Sequence, residues 1–212
     1  MLRFLLIIFY LLEVTTLRVC VVGGSSALGR EIIYQGLNDF NYQILSVTDS
    51  PNKVCIPYRG IGLDDKSKKQ KILSNKLKIV PYSENPKKYD AIIFTIGGSA
   101  FEKSDYSDKI TETYLENISK TCKSIVLISA YGVGNSIKNA NFGIVSMRNW
   151  YLKDVYRAKE RQEELINNFE MKNINKKIYR PKVLSYGETS FESTPRQELA
   201  KEILNNLFCN YI

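Results

Sequence analysis

Residues 17–36 read LRVCVVGGSSALGREIIYQG. A short apolar run, Val19 to Val22, stops at the pair Gly23-Gly24; small residues follow, and a helical pattern opens at Ala27. A strand, a tight turn and a helix N-terminus have this form. Glycines enter backbone conformations closed to other residues, and the first N–H groups of a helix lack intrahelical partners, so they face an anion well. The usual anion in that position is a dinucleotide pyrophosphate. The spacing is Gly23-x-x-Ser26-x-x-Gly29, a glycine triplet with serine at its centre. It predicts a cradle formed by Gly23, Gly24, Ser25, Ser26, Ala27, Leu28 and Gly29. A plain β-turn-α without ligand is the alternative.

Working outward, apolar residues at Leu28, Ile32, Ile33 and Leu37 give the helix an inner face. A second strand is expected over 42–48, ending at Asp49-Ser50-Pro51. Asp49 lies twenty positions after Gly29, where a dinucleotide fold reads the ribose. A carboxylate there accepts hydrogen bonds from ribose hydroxyls and repels a 2′-phosphate; a turn aspartate before proline is the simpler reading. A third strand is expected over 77–82. The run DAIIFTI (90–96) reads as a buried parallel strand ending in Gly97-Gly98, and SIVLIS (124–129) as another. Helices are expected over 105–122 and, longer, over 147–169, with Tyr151, Val155, Ala158, Leu165 and Phe169 inward and Lys159 beside them. A polar loop is expected over 135–145, a sixth strand over 176–180, and a last helix with Thr194 as cap, Pro195 in its first turn and Gln197 closing a capping box. Alternating strands and helices predict one α/β domain over 17–212, a doubly wound parallel sheet with ligand at the carboxyl ends of its strands.

Composition narrows the chemistry. The chain has 212 residues, a net charge of +8 and no histidine. The missing histidine removes Ser-His-Asp triads, Cys-His pairs and histidine metal sites, and no metal is expected. The cysteines at 20, 55, 122 and 209 form no CxxC pair. The basic excess is mostly lysine over 66–78 and 153–177, without the aromatic interleaving of a base-stacking surface, so nucleic acid is not an expected partner. At the N-terminus, Arg3, the apolar run Phe4 to Leu12 and the polar exit 13–16 match a secretory signal peptide over 1–16, too short to span a membrane. The expected destination is the secretory pathway, with a plastid beyond it as one option and the cytoplasm as the alternative.

Several stretches, in order, resemble an atypical short-chain dehydrogenase/reductase of the NmrA-like or NAD(P)H-binding group: VVGGSSALGREI (21–32), DAIIFTIGG (90–98), VLISAYGVG (126–134), AKERQEELI (158–166) with YRPKVL (179–184), and TPRQELA (194–200). The resemblance implies a Rossmann fold, a nicotinamide dinucleotide and hydride transfer to a carbonyl, quinone or flavin-like acceptor. It also implies sites. Gly97 and Gly98 let backbone approach the cofactor, Lys159 holds the nicotinamide ribose, and Arg180 shapes the wall beneath the nicotinamide. Ser129, Tyr131 and Lys159 are the catalytic candidates. Two departures bear on this. Asp49 stands where many members carry an arginine for the 2′-phosphate, which favours NAD over NADP. The active family's Tyr-x-x-x-Lys would need tyrosine at 155, which is Val155; Tyr156 is three before Lys159. A non-catalytic cofactor-binding redox sensor or assembly factor is therefore the second implied function. Oligomeric state is left open by the sequence.

Overall fold

The computed structural model describes residues 16–54, 75–97, 106–185 and 193–208. Residues 1–15 of the expected signal segment 1–16, together with Gly98, Cys55 and Cys209, lie outside the described residues. Six strands form one wholly parallel sheet: β1 (Arg18–Val22), β2 (Gln43–Val47), β3 (Leu77–Val80), β4 (Ala91–Phe94), β5 (Ser124–Ile128) and β6 (Asn175–Tyr179), in the order β3-β2-β1-β4-β5-β6. The order reverses between β1 and β4, which opens a crevice above their carboxyl ends.

Continuous apolar runs make these strands because both sheet faces are covered. Val19 and Val21 of β1 point to one layer with Ile93 and Val126; Cys20 and Val22 point to the other with Ile92 and Phe94. The first layer is closed by α1 (Ala27–Asn38) and by α5 (Arg196–Asn205), which pack on each other through Leu28, Ile32, Leu199 and Ile203. The second is closed by α2 (Ser107–Glu116) and α4 (Lys153–Asn168), which bring Tyr114, Leu115 and Ile166 onto the sheet. Each fully buried branched side chain contributes about 1.5–3 kcal/mol by leaving water.

Three local expectations change. The long helix expected over 147–169 is divided into a π-helical turn (Met147–Tyr151) and α4, and the turn continues from a short helix, α3 (Phe142–Ser146). The Leu152 N–H donates to the Met147 carbonyl five residues back, so the turn holds an extra residue and the inner stripe slips. Tyr151 is thereby turned out to solvent, and Tyr156, Ala158, Gln162 and Ile166 form the buried face. The loop over 135–145 contains a 3-10 helix (Gly134–Asn139) and the start of α3. At the last helix, Thr194 does not cap. It lies in a short strand, β8 (Ser193–Pro195), paired in parallel with β7 (Val183–Ser185); the cap position falls to Pro195, and α5 opens without a side-chain cap.

Candidate functional site

The β1–α1 turn is held from below. Gly23 has φ +92°, and its N–H and that of Gly24 both donate to the Val47 carbonyl at the end of β2. Gly24 has no such φ; it is required for space, since a Cβ there would lie 2.1 Å from Ser46 Oγ. Ser26 at the centre of the glycine triplet adopts φ −64°, ψ 156°, which any residue can take. Its Oγ accepts from the Gly29 N–H (2.9 Å) and donates to Thr95 Oγ1 (3.2 Å), which donates to the Gly23 carbonyl (2.9 Å). The serine is thus the N-cap of α1. Among the described residues neither the Ala27 nor the Leu28 N–H has a protein acceptor.

Those two residues open onto a crevice of about 230 Å³ lined also by Ser26, Thr95, Gly97, Ile128, Ser129, Lys159, Leu184 and Arg196. The sheet topology brings together α1's start, the ends of β4 and β5, one turn of α4 and the start of α5. Lys159 is buried; its ammonium donates to the carbonyls of Ile96 (2.7 Å) and Ile128 (2.9 Å), tying the ends of β4 and β5. Gly97 makes room for that side chain: a Cβ would meet Lys159 Cε at 3.1 Å. Ser129 is buried, and its Oγ makes no hydrogen bond among the described residues.

The phenols are placed differently. The Tyr131 hydroxyl donates to the Asn139 carbonyl (2.6 Å), and Tyr131 does not line the crevice. The Tyr156 hydroxyl donates to the Tyr131 carbonyl (3.0 Å), and burial raises its pKa above the usual phenol value, with Arg148 opposing. Arg180 forms a two-pronged ion pair with the buried Glu163 (2.8 and 2.7 Å), beside Gly134 and away from the crevice lining. Glu163 raises the arginine's pKa further. Asp49 is exposed just past the end of β2. Beside it, Thr48 Oγ1 donates to Ser25 Oγ (2.7 Å), linking the end of β2 to the glycine turn. Four lining residues were not singled out from the sequence: Thr95, hidden inside an apolar run; Ile128, one apolar residue among several in β5; Leu184, in a strand too short to read; and Arg196, an ordinary first-turn residue of a helix.

Solved structures share this fold. The anaerobillin reductase ChuY from Escherichia coli O157:H7 matches with a TM-score of 0.61 at 13% identity, over 92% of this chain and 91% of that one. A short-chain dehydrogenase/reductase from Veillonella parvula, in complex with NADP, matches at 0.61 and 8% identity, over 92% and 88%. The fold is a Rossmann fold. An oxidoreductase, ylbE, from Lactococcus lactis has the same fold, with a TM-score of 0.56 and 19% identity over 89% of this chain and 84% of that one. No protein-family model and no curated protein matches the sequence.

Proposed function

We propose that the chain binds a nicotinamide dinucleotide in the crevice and passes its hydride to an acceptor resting on Ser129. The observation that carries the reading is the pair of unpartnered N–H groups at Ala27 and Leu28. They stand at the positive end of a twelve-residue helix and open onto a crevice. They suit a diphosphate, with Ser26 keeping the third amide occupied. When bound, the reduced nicotinamide supplies a hydride. Lys159 fixes the floor by holding two strand ends, and Ser129 Oγ–H is the donor available to an acceptor oxygen. Neither Tyr131 nor Tyr156 is positioned as an acid, since each hydroxyl proton is committed to a backbone carbonyl. The proton then comes from solvent, which favours a quinone or flavin-like acceptor over a simple carbonyl.

Asp49 supports NAD over NADP, because a 2′-phosphate would meet a like charge. Nicotinamide fluorescence titration of the full-length chain tests both points. NADH is expected to bind at least about fivefold more tightly than NADPH. Equal affinities would remove Asp49 from the reading, and no binding of either would remove the cofactor. The engaged phenols favour a second function, a cofactor-binding redox sensor or assembly factor without turnover; NADH binding with no consumption across a quinone panel would select it. The apolar N-terminus supports delivery through the secretory pathway, with a plastid as one onward destination.

A further inference from the structure

Between β5 and α4 the chain presents an apolar face that shares no residue with the crevice. Gly143, Ser146, Met147, Trp150, Tyr151 and Leu152 wall an almost wholly apolar cavity of about 460 Å³. Phe142 is 86% exposed, Trp150 82% and Tyr151 83%. Single exposed apolar residues are ordinary, whereas several gathered around one cavity mark a surface that meets something. The π-helical turn produces the gathering by rotating Tyr151 off the inner stripe and setting it beside Trp150.

Charge identifies the occupant. Lys138, Lys153 and Arg157 flank the segment, all exposed, against one exposed carboxylate, Asp154; Arg148 is neutralised by Glu160. A second copy seated here about a two-fold axis would set these cations against their own counterparts. An anionic lipid surface would meet them with opposite charge, while tryptophan, tyrosine and phenylalanine enter the headgroup boundary, where amphipathic rings are favoured. No helix among the described residues is long and apolar enough to cross a membrane, so the contact would be peripheral. We propose that the face built by Phe142, Met147, Trp150 and Tyr151, flanked along the chain by the exposed Lys138 and Lys153, seats the protein on an anionic bilayer surface. The inference uses no part of the cofactor reading and stands or falls separately.

The experiment uses full-length protein and vesicles of phosphatidylcholine, with or without about one third phosphatidylglycerol. Trp150 is the sole tryptophan, so its emission reports directly on this face. Expected are sedimentation with the anionic vesicles and a blue shift of Trp150 emission, with binding at least about tenfold weaker on phosphatidylcholine alone. Lys138→Glu with Lys153→Glu should weaken anionic binding at least about tenfold, and Trp150→Ser with Tyr151→Ser should do the same by sedimentation. All four side chains are exposed, so folding is retained; circular dichroism checks it. Absence of binding, binding without an emission shift, or binding that survives both double variants would overturn the proposal. The last would assign attachment to another part of the chain. Self-association that Trp150→Ser with Tyr151→Ser abolishes would give the face to a second copy instead.

Discussion

At the β1–α1 end of the crevice the turn's atoms constrain one another. Gly23 is pinned by φ and by backbone neighbours, Gly24 by Ser46, and Ser26, Thr95 and Gly29 share one hydrogen-bond chain. At the β5–α4 end the polar groups are turned inward. Tyr131 and Tyr156 donate to carbonyls, Arg180 is paired with Glu163, and Ser129 Oγ is buried with no hydrogen-bond partner among the described residues. The difference teaches that one end of a crevice can be fixed by mutual contacts while leaving two amides open, and the other can engage its phenols and leave a single serine hydroxyl uncommitted. The contrast can be tested at each end.

The largest effect is expected at Gly23. A Cβ there would lie 2.6 Å from Ile96 N and 2.9 Å from the Thr95 carbonyl carbon, both backbone atoms, and alanine disfavours φ +92°. Gly23→Ala should lose at least about 3 kcal/mol of stability, together with NADH binding. Gly134 is the matched control. Its φ is also positive, +55°, but a Cβ there would meet the far ends of Glu163 and Arg180, which can shift. Gly134→Ala should lose about 1 kcal/mol. Similar losses by urea denaturation would break the contrast between a rigid and an adjustable end.

Next in size is Ser129. On an acceptor that turns over, Ser129→Ala should lower the rate of NADH consumption by about a hundredfold. Removing a buried hydroxyl without a partner should leave stability unchanged or slightly higher. Tyr131→Phe and Tyr156→Phe should stay within about threefold of the parent rate, since neither hydroxyl is placed as an acid. A large loss in either phenylalanine variant would return a tyrosine to the chemistry and erase the asymmetry.

The ordered end was also the legible end. An apolar run stopped by glycines, and buried strands of nearly continuous apolar residues, declare themselves locally, because each follows from burial on both faces. Asp49 could be placed at the end of β2 by counting. Other features depend on partners far along the chain. Thr194 and Pro195 spell a helix start, yet pairing with Leu184 and Ser185 draws them into a strand. The π turn at 147–151 leaves no mark in composition; it appears as a one-residue slip in periodicity, which pointed Tyr151 inward on the sequence and outward in the structure. Arg196 reaches the crevice because α5 packs on α1, a contact between residues about 160 positions apart that no local pattern encodes.

The smallest effect concerns an exception inside the ordered end. Glu31 lies in α1 and is 3% exposed; its Oε1 accepts from Gln35 Nε2 (2.8 Å), which also donates to the Gln197 carbonyl of α5 (3.0 Å). Glu31 Oε2 and Gln35 Oε1 have no hydrogen-bond partner among the described residues. Burial raises the carboxyl's pKa above its usual 4.5, Asp39 adds to the rise, and the Gln35 hydrogen bond opposes it. Between 4.5 and the raised folded value the native chain holds a proton that the unfolded chain has released. Stability therefore falls as pH climbs through that window, and the deficit persists above it. Glu31→Gln keeps the shape, never charges, and offers an amide towards the Gln35 carbonyl oxygen. At pH 7 it should melt higher than the parent, on the order of 1–2 °C. The gap should close as pH drops below the ordinary carboxyl range. A variant that melts lower at neutral pH would mean the carboxylate is held charged by a favourable contact, and α1 would then contain no exception to its own order.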